Sequence, residues 1–368
     1  MSSARVAVVG AGLSGSLACL SLAARGVRAT LLDQAAASGR FGGASARSDL
    51  GAQFFRASND QFRALLDELA RQKLVARWRG AFGVLGSKGG GLLPRGAIPS
   101  NQTETPAAPA RDGGDFCGFV EAGDGGDLWV ARDNAAVCAA IRAMADVDVE
   151  IRRVDALKRD GGGWTVGGAE TFDAVILATH DPGLASRAVG ELEVADAGVA
   201  ARLADLKMAL DAAREARAPL FSAAVTVQGD VKLDAATVPG SPIVQFLARE
   251  ASKPGRGDAA TWTVASTSTF ADRAGDDDAL DALAEETARL LAPLGAIGAE
   301  GVAAKRWGAA LPGATLEAWS RTEERAVVLE PFGLGVAGDY VRGAACPVEA
   351  AALSGLEAGA RVGGLVGR

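Results

Sequence analysis

The stretch "VAVVGAGLSGSLACLSLAARGVRATLLD", residues 6–33, places a glycine-rich turn inside an apolar run and ends on an acid. The residues before the turn form a short, apolar, β-branched run, which is typical of a strand buried on both faces of a parallel sheet. Leu17, Leu20 and Ala24 then recur at helical spacing, and "RATLLD" (28–33) predicts a second strand. This order of strand, glycine turn, helix and strand indicates a Rossmann-type α/β fold.

Each glycine of the turn has an expected role in binding a dinucleotide. Gly10 permits the tight turn, Gly12 lets the backbone approach a pyrophosphate, and Gly15 lets the helix pack against the strand. The start of the helix, which includes Ser14, points unpaired N–H groups at the phosphates. Asp33 lies 18 residues beyond Gly15, where its carboxylate can accept hydrogen bonds from the ribose hydroxyls. A glycine-rich turn without a ligand is the alternative.

Length and charge limit the possible classes of protein. A chain of 368 residues is too long for one ordinary core, which predicts about two or three domains. The net charge of −7 argues against a surface that binds polyanions, and a single histidine argues against a multi-histidine metal site. We therefore expect no nucleic-acid partner and no metal site.

The cysteines and the apolar segments bear on the compartment. The four cysteines lie far apart with no CxxC pair, which fits reduced thiols better than a disulfide framework. Residues 6–24 carry no charge, but Gly10, Gly12 and Gly15 interrupt the run and only Arg5 precedes it as a basic flank. We expect a cytoplasmic protein without a membrane segment, and organellar targeting stays open.

The chain after Asp33 favours FAD over NAD. A plain nicotinamide enzyme would continue into further strand–helix units, whereas this chain runs into "SGRFGG" (38–43). That segment resembles the GGR element which many FAD enzymes place just after the second strand. The resemblance implies that Arg40 lies close to the cofactor phosphates.

Further segments resemble the renalase family, within the wider group of amine-oxidase-like flavoproteins. They are "DLGAQFF" (49–55), "DGGGWTVGGAETFDAVILAT" (160–179), "LAREASKPGR" (247–256), "KRW" (305–307), "GLGVAGDYVRG" (333–343) and "VEAAALSGLEAGARV" (348–362). The resembling segments follow one order along almost the whole chain. This resemblance implies an FAD-dependent oxidoreductase.

The resemblance also implies which residues hold the cofactor. Asp339 would bind the ribityl chain, the backbone around Val154 would meet the adenine, and a helix beginning near Val348 would aim its positive end at the flavin pyrimidine ring. The full set of cofactor residues implied outside the glycine turn is Asp33, Gln34, Arg40, Gln53, Phe54, Val154, Gly338, Asp339 and Val348. Cys346 has no attachment motif around it, so we expect noncovalent FAD.

The resemblance further implies a split architecture like that of p-hydroxybenzoate hydroxylase. An FAD-binding domain would be interrupted by a β-rich α+β substrate domain. The expected FAD-binding pieces are 1–57, 127–190 and 300–368, and the expected substrate-domain pieces are 58–126 and 191–299. Residues 86–126 form a Gly/Pro-rich loop, which is either an active-site lid or a surface insertion.

Ser38 replaces the first Gly of the GGR element, and two further segments depart from the family pattern. "WVARDN" (129–134) stands where relatives often carry a Pro-Gly-Met turn, and the loop at 86–126 is longer than expected. Both lie on the side expected to contact substrate. They weaken the substrate assignment more than the cofactor assignment.

No catalytic residue follows from residue type alone, because a hydride donor held against a flavin can react without a protein acid or base. Trp307 and Tyr340 are candidates for flat walls of a substrate pocket, although Trp307 could equally pack in the core. His180 follows a buried strand and is a candidate at the cofactor rim. Arg249, with its basic neighbours in 247–256, could meet a phosphorylated substrate or form a solvated loop.

Three functions stay open. The leading one, implied by the resemblance, is oxidation of 2- or 6-dihydro isomers of NAD(P)H to NAD(P)+, with O2 reduced to hydrogen peroxide. The second is a flavin amine oxidase that acts on a small amine. The third is an FAD-binding protein without catalysis.

Overall fold

The structure is a computed structural model that describes residues 4–35, 39–42, 48–88, 92, 128–168, 170–256, 260–319, 324–343 and 346–367. Contacts divide the chain into two units. The first unit comprises Met1–Phe41, Ala135–Arg217 and Pro312–Arg368, and the second comprises Gly42–Asn134 and Ala218–Leu311. Nearly all of the loop expected at 86–126 lies outside the described residues.

The described residues form the following elements. The strands are β1 (Arg5–Val9), β2 (Arg28–Asp33), β3 (Phe55–Arg56), β4 (Val75–Trp78), β5 (Phe82–Val84), β6 (Leu128–Ala131), β7 (Val149–Ile151), β8 (Leu157–Asp160), β9 (Gly163–Val166), β10 (Glu170–Phe172), β11 (Ala174–Leu177), β12 (Ala218–Gly229), β13 (Ala235–Thr237), β14 (Val244–Arg249), β15 (Thr261–Ser266), β16 (Ala296–Leu311), β17 (Val327–Leu329) and β18 (Leu334–Val336). The helices are α1 (Leu13–Ala23), α2 (Asp60–Arg71), α3 (Asn134–Met144), α4 (Gly183–Gly190), α5 (Ala197–Glu215), α6 (Ser268–Arg273), α7 (Asp276–Leu291) and α8 (Pro347–Val366).

The first unit is built on a six-stranded sheet in the order β17-β18-β11-β1-β2-β7. Its neighbouring strands are parallel except for the antiparallel pair β17 and β18. Val6 and Val8 pack on one face with α1 and α8, whereas Ala7 and Val9 pack on the other face with α4 and α5. Both faces are covered, which explains why the strands are continuous apolar runs. The predicted Rossmann-type α/β fold is confirmed.

Several elements follow local sequence signals. Strands β9 and β10 form an antiparallel hairpin, and the buried strand β11 follows. Helix α2 begins after Asn59, whose side chain accepts hydrogen bonds from the N–H groups of Gln61 and Phe62. Helix α7 ends at Leu291, close before Pro293.

The second unit contains a six-stranded sheet in the order β16-β12-β15-β14-β13-β5. Neighbours are antiparallel except for β13 and β5. One face packs against helices α6 and α7 through a hydrophobic cluster that includes Phe221, Trp262 and Leu283. On the other face, Phe246 and Ala265 pack with Phe54, Trp78, Leu128 and Val130, which belong to or adjoin the small sheet β3-β6-β4.

The expected domain pieces differ from this division at four elements. The first is β3, which lies in the second unit although 1–57 was expected in the FAD-binding domain. Strand β16 pairs with β12 along its length and so belongs to the second unit, although 300–368 was expected in the FAD-binding domain. Strand β6 pairs with β3 and β4 and also belongs there. Helix α5 buries Leu203, Leu206 and Leu210 in the core of the first unit instead of the substrate domain. In each case pairing or packing between distant segments decides the assignment.

None of the helices in the described residues is long and apolar enough to cross a bilayer. Within the same residues, no three His, Cys, Asp or Glu side chains are grouped so that they could hold a metal ion.

Candidate functional site

Four chain segments meet at the carboxyl edge of the parallel sheet in the first unit. Strands β18, β11, β1 and β2 lie side by side and run parallel, so the residues that follow them share this edge. Gly10 follows β1, Asp33 ends β2, His180 follows β11 and Asp339 follows β18. Ligands of open α/β sheets bind at this edge.

The glycine turn is held so tightly that two positions exclude any side chain. Gly10 has φ +109°, and a Cβ placed there would lie 2.5 Å from the carbonyl oxygen of Ala178. A Cβ on Gly15 would lie 1.8 Å from the carbonyl oxygen of Gly10. The helix therefore starts directly against the strand, as the sequence predicts for these two glycines.

Helix α1 begins without a side-chain cap. Gly12 is its N-cap in an extended conformation, and the first turn carries no acidic residue. The N–H groups of that turn are therefore available to an anion. The Ser14 hydroxyl donates instead to the carbonyl oxygen of Ala351 in α8, at 2.8 Å, so its hydrogen is used in packing the two helices.

Asp33 ties the glycine turn to the second strand. Its Oδ2 accepts a hydrogen bond from the N–H of Ala11 at 2.6 Å, and its Oδ1 accepts one from the N–H of Ala35 at 3.0 Å. An ionised carboxylate has about four lone-pair sites, so these two bonds leave acceptor capacity for hydroxyl groups. The arrangement fits a ribose at the end of β2.

Arg40 and Asp339 form an ion pair although 299 residues separate them in sequence. Arg40 Nη2 lies 2.7 Å from Asp339 Oδ1, and the two side chains are 22% and 6% exposed. A Cβ added to Gly39 would lie 3.6 Å from the Cα of Gly12, so the residue next to Arg40 lies against the glycine turn. The Arg40–Asp339 pair therefore places a guanidinium and a carboxylate near this turn. These groups could bind a phosphate and a hydroxyl chain respectively.

Gly338 and Tyr340 flank this aspartate. A Cβ on Gly338 would lie 2.6 Å from the ring of Tyr340, which explains the glycine at this position. The Tyr340 ring is only 2% exposed and belongs to the hydrophobic core of the first unit, so its predicted role as a wall of an open pocket is not supported by its position. Burial, followed by the charge of Asp339, raises the pKa of its phenol. The hydroxyl has no hydrogen-bond partner among the described residues.

His180 is exposed and lies just after β11. Loss of hydration lowers the pKa of the imidazole, and the Arg40 cation lowers it further. His180 is therefore expected to be neutral at neutral pH. The neighbouring Asp181 is engaged by the N–H of Gly183 at 2.8 Å.

The other predicted cofactor residues of the first unit occupy varied positions. The Gln34 Oε1 atom accepts a hydrogen bond from Arg153 at 3.3 Å. Val154 packs partly buried against the core. Val348 is the second residue of α8, whose N-cap Cys346 makes no side-chain cap. The start of α8 is thus a second uncapped helix end.

Gln53 and Phe54, also predicted to contact the cofactor, lie in the second unit and are both buried. Gln53 Nε2 donates to the carbonyl oxygens of Asp49 at 2.6 Å and Gly51 at 2.9 Å. Its Oε1 accepts from Lys253 at 2.8 Å. All hydrogen-bonding groups of the Gln53 amide are therefore engaged, and they fix the shape of the 49–53 loop.

Lys253 belongs to a buried charge cluster, which we define as Asp49, Glu250, Lys253 and Arg256. Lys253 Nζ lies 2.5 Å from Glu250 Oε1, and Arg256 Nη1 lies 2.6 Å from Glu250 Oε2. Arg256 also approaches Asp49 at 3.7 Å. Burial lowers the pKa of Lys253 to about 8, against the opposing effect of Glu250.

The basic residues of 247–256 are therefore paired with carboxylates instead of being open to a phosphorylated substrate. Arg249 forms an ion pair and a hydrogen bond with Asp234. Lys253 and Arg256 are committed to Glu250. One of these ion pairs has a local signal in the sequence, because Glu250 and Lys253 stand three residues apart. The contacts of Lys253 with Gln53 and of Arg249 with Asp234 join distant segments and have no local signal.

Trp307 lies on β16 with one face of its ring covered. Lys305 Nζ lies 3.8 Å from the ring centroid, and the indole N–H donates to the carbonyl oxygen of Leu50 at 2.9 Å. A flat substrate ring could stack only on the opposite face. Lys305 is a candidate residue that the sequence argument did not single out.

Comparison with known proteins gives the fold and leaves the reaction open. A family described as an NAD(P)-binding Rossmann-like domain matches residues 8–69. No curated protein sequence matches the chain. Its fold is similar to that of cyclohexylamine oxidase from Brevibacterium oxydans IH-35A, with a TM-score of 0.65, 13% identity and 100% of both chains covered.

Two other solved structures share the fold. Putrescine oxidase bound to putrescine gives a TM-score of 0.61 at 14% identity and covers 98% of both chains. Reduced UDP-galactopyranose mutase gives 0.68 at 11% identity and covers 99% of this chain and 96% of that chain. Two oxidases and a mutase have this fold, so the fold by itself does not select a reaction.

Proposed function

We propose that the protein is an FAD-dependent oxidoreductase. The observation that carries this proposal is the meeting of the glycine turn, Asp33 and the Arg40–Asp339 pair at one edge of the parallel sheet. The glycine turn and Asp33 suit any dinucleotide. The Arg40–Asp339 ion pair adds a guanidinium and a carboxylate from two segments that resemble those of FAD enzymes. A guanidinium for the pyrophosphate and a carboxylate for the ribityl hydroxyls are the additions that a flavin dinucleotide requires.

The described residues fit such a cofactor in three further respects. The helix starts at Gly12 and Cys346 both lack side-chain caps, so both can face an electron-rich group. The Tyr340 hydroxyl is buried beside Asp339 and has no partner in the described chain. Cys346 itself is buried, and we propose noncovalent binding. Acid precipitation should release the flavin into solution, and a yellow pellet would contradict this.

We further propose that the substrate is an isomeric, 2- or 6-dihydro form of NAD(P)H, oxidised to NAD(P)+ with O2 as the electron acceptor. The renalase-like segments between residues 49 and 362 support this assignment. Bound FAD would supply the two-electron oxidation by accepting a hydride and would pass the electrons to O2, giving hydrogen peroxide. The chain would then need only to position the substrate. His180 and Tyr340, both held in their neutral forms, are consistent with such a role.

A flavin amine oxidase is the second candidate, and the similarity in fold to putrescine oxidase and cyclohexylamine oxidase favours it. An amine substrate is commonly held by aromatic rings around its nitrogen. In the described chain, Tyr340 is buried in the core and one face of Trp307 is covered by Lys305. These positions provide little aromatic surface for such a cage.

The test is an anaerobic reduction of the purified protein. The visible spectrum is recorded, and 2- and 6-dihydro-NAD isomers, ordinary NADH and a simple aryl amine are then added separately. Fast bleaching by an isomer alone supports the proposed substrate, and bleaching by the amine alone supports the second candidate. Absence of a flavin band contradicts the cofactor assignment. A flavin that none of them reduces indicates another substrate or an FAD-binding protein without catalysis.

A further inference from the structure

Tyr340 lies at the carboxyl edge of the parallel sheet, in the turn that follows β18. Its ring is held over the residue that precedes Asp339, since a Cβ on Gly338 would lie 2.6 Å from a carbon of the ring. The backbone is also fixed, because the N–H of Val341 donates to the carbonyl oxygen of Gly338 at 3.3 Å and the N–H of Leu316 donates to that of Tyr340 at 2.9 Å. One turn therefore positions both the phenol and the Asp339 carboxylate.

The Tyr340 ring packs in the apolar core at this edge. It belongs to the hydrophobic cluster that contains Val9, Leu177 and Val336, the last residues of β1, β11 and β18. The residue is 2% exposed. A phenylalanine ring would fill the same volume, so packing alone does not account for the hydroxyl.

The hydroxyl of Tyr340 is buried and makes no hydrogen bond within the described ranges. A hydroxyl removed from water without a partner costs free energy, and buried polar groups nearly always have a partner, whether protein, water or a bound molecule. The two aspartates of this edge are engaged by other donors. Arg40 lies 2.7 Å from Asp339, and the N–H of Gly183 donates to Asp181 at 2.8 Å. A bound molecule at the same edge would supply the missing partner.

The protonation of the phenol decides the kind of partner that it needs. Burial raises the pKa of Tyr340, and the charge of Asp339 raises it further. The hydroxyl therefore keeps its proton at neutral pH and can donate it to an acceptor. Asp339 has the opposite character, because an ionised carboxylate only accepts hydrogen bonds. An alcohol group can donate to the carboxylate and accept from the phenol at the same time.

We propose that Tyr340 and Asp339 together bind one hydroxyl group of the ribityl chain of FAD. The Tyr340 hydroxyl donates to the oxygen of that group, and the Asp339 carboxylate accepts a hydrogen bond from it. The inference rests on the proposed function, because the ribityl chain is the open-chain polyol of a flavin. NAD carries a cyclic ribose instead, whose hydroxyl groups have fixed directions. Tyr340 is thus a residue that favours FAD over NAD.

The test compares the apoproteins of the unaltered chain and of Tyr340→Phe, which loses only the hydroxyl. Flavin fluorescence gives the Kd of FAD. Calorimetric titration gives the Kd of ADP-ribose, which shares the adenosine and the pyrophosphate with FAD but lacks the ribityl chain. Tyr340→Phe should raise the Kd of FAD by about two- to ten-fold, because one neutral hydrogen bond is lost. The Kd of ADP-ribose should stay unchanged.

The melting temperature of the apoprotein separates this role from a structural one. Removal of an unpartnered hydroxyl should leave it unchanged or raise it. Ser186→Ala is the matched control, since the buried Ser186 hydroxyl in the same unit donates to Asp211 at 2.5 Å. It should lower the melting temperature and leave the Kd of FAD unchanged. A Tyr340→Phe apoprotein that melts as early as Ser186→Ala would show that the hydroxyl already has a partner, which overturns the inference.

Tyr340 is the only tyrosine of the sequence, so labelling tyrosine with 13C at Cζ gives one NMR resonance that reports on this hydroxyl. The resonance should shift when FAD is added and stay in place with ADP-ribose. An unchanged Kd of FAD in Tyr340→Phe overturns the inference and leaves the flavin assignment intact. An equal rise in the Kd of FAD and of ADP-ribose overturns the ribityl assignment. If the unaltered protein binds no FAD, the proposed function itself is contradicted.

Discussion

The two units use charged side chains in opposite ways. In the first unit, the Arg40–Asp339 pair stands at a sheet edge beside backbone N–H groups that no side chain caps. In the second unit, the cluster of Asp49, Glu250, Lys253 and Arg256 is buried and combines two cations with two anions. Thr263 and Gln53 fill further hydrogen-bonding positions of this cluster at 2.8 Å each.

This difference separates the proposed cofactor site from a structural cluster. A buried cluster that satisfies its own charges has nothing left to offer a ligand, and removal of one member leaves the others uncompensated. At the carboxyl edge of the parallel sheet, Asp33 keeps unused acceptor sites and the first turn of the helix has no side-chain cap. These groups can still bind a ligand. Substitutions in the buried cluster should therefore affect folding, whereas those at the edge of the parallel sheet should affect cofactor binding.

The largest effect is expected from Glu250→Gln. The substitution removes the carboxylate shared by Lys253 and Arg256 and leaves two buried cations without it. Breaking a buried ion pair on one side costs about 3–5 kcal/mol, so the free energy of unfolding should fall by that amount. Urea denaturation followed by circular dichroism measures the loss.

Glu285→Gln is the control for this prediction, because Glu285 lies exposed on α7 in the same unit. It should change the free energy of unfolding by no more than about 0.5 kcal/mol. If Glu250→Gln behaves like Glu285→Gln, the cluster does not hold the second unit together and its charges are free for another role.

Asp33→Ala tests the opposite side of the comparison. The substitution removes the acceptor proposed for the ribose hydroxyls, and a hydrogen bond to a charged group contributes about 1.5–3 kcal/mol. The Kd for FAD should rise by about 10- to 100-fold, measured by flavin fluorescence during reconstitution of the apoprotein. Far-ultraviolet circular dichroism should stay unchanged.

Asp173→Ala provides the matched control in the same sheet. Asp173 accepts a hydrogen bond from the N–H of Arg5 at 2.7 Å, but it lies at the amino end of β11, away from the proposed site. Its loss should leave FAD affinity unaltered. An Asp33→Ala protein that retains FAD as tightly as the Asp173→Ala protein would show that the dinucleotide is placed wrongly.

The sequence predicted those parts of the fold that depend on neighbouring residues. The β1-α1-β2 unit, the cap at Asn59 and the end of α7 before Pro293 follow from local spacing and capping chemistry. The requirement for glycine at Gly10 and Gly15 also followed, because the strand-to-helix turn imposes it within a few residues.

The remaining features depend on contacts between distant segments. Lys253 meets Gln53 across 200 residues, and a basic segment consequently became a buried, neutralised cluster. The position of β16 follows from its pairing with β12, which its own composition does not specify. Tyr340 likewise stands beside a predicted cofactor residue, yet the ring turns into the core. A sequence states residue types, whereas their partners are determined by tertiary packing.

The smallest effect is expected in how the free energy of unfolding depends on pH. The pKa of buried Lys253 is about 8, below about 10.4 for an unfolded lysine, so above pH 8 the unfolded chain holds more protons than the folded chain. The free energy of unfolding should therefore gain up to about 1.4 kcal/mol per pH unit from this group between about pH 8 and pH 9.5. Denaturation of the unaltered protein and of Lys253→Met across this range isolates the contribution, with the exposed Lys232→Met as control. The charges of Glu250, Arg256 and Asp49 face the ammonium. A difference that stays constant with pH would mean that Lys253 is solvated and that the second unit, like the first, holds an open charge.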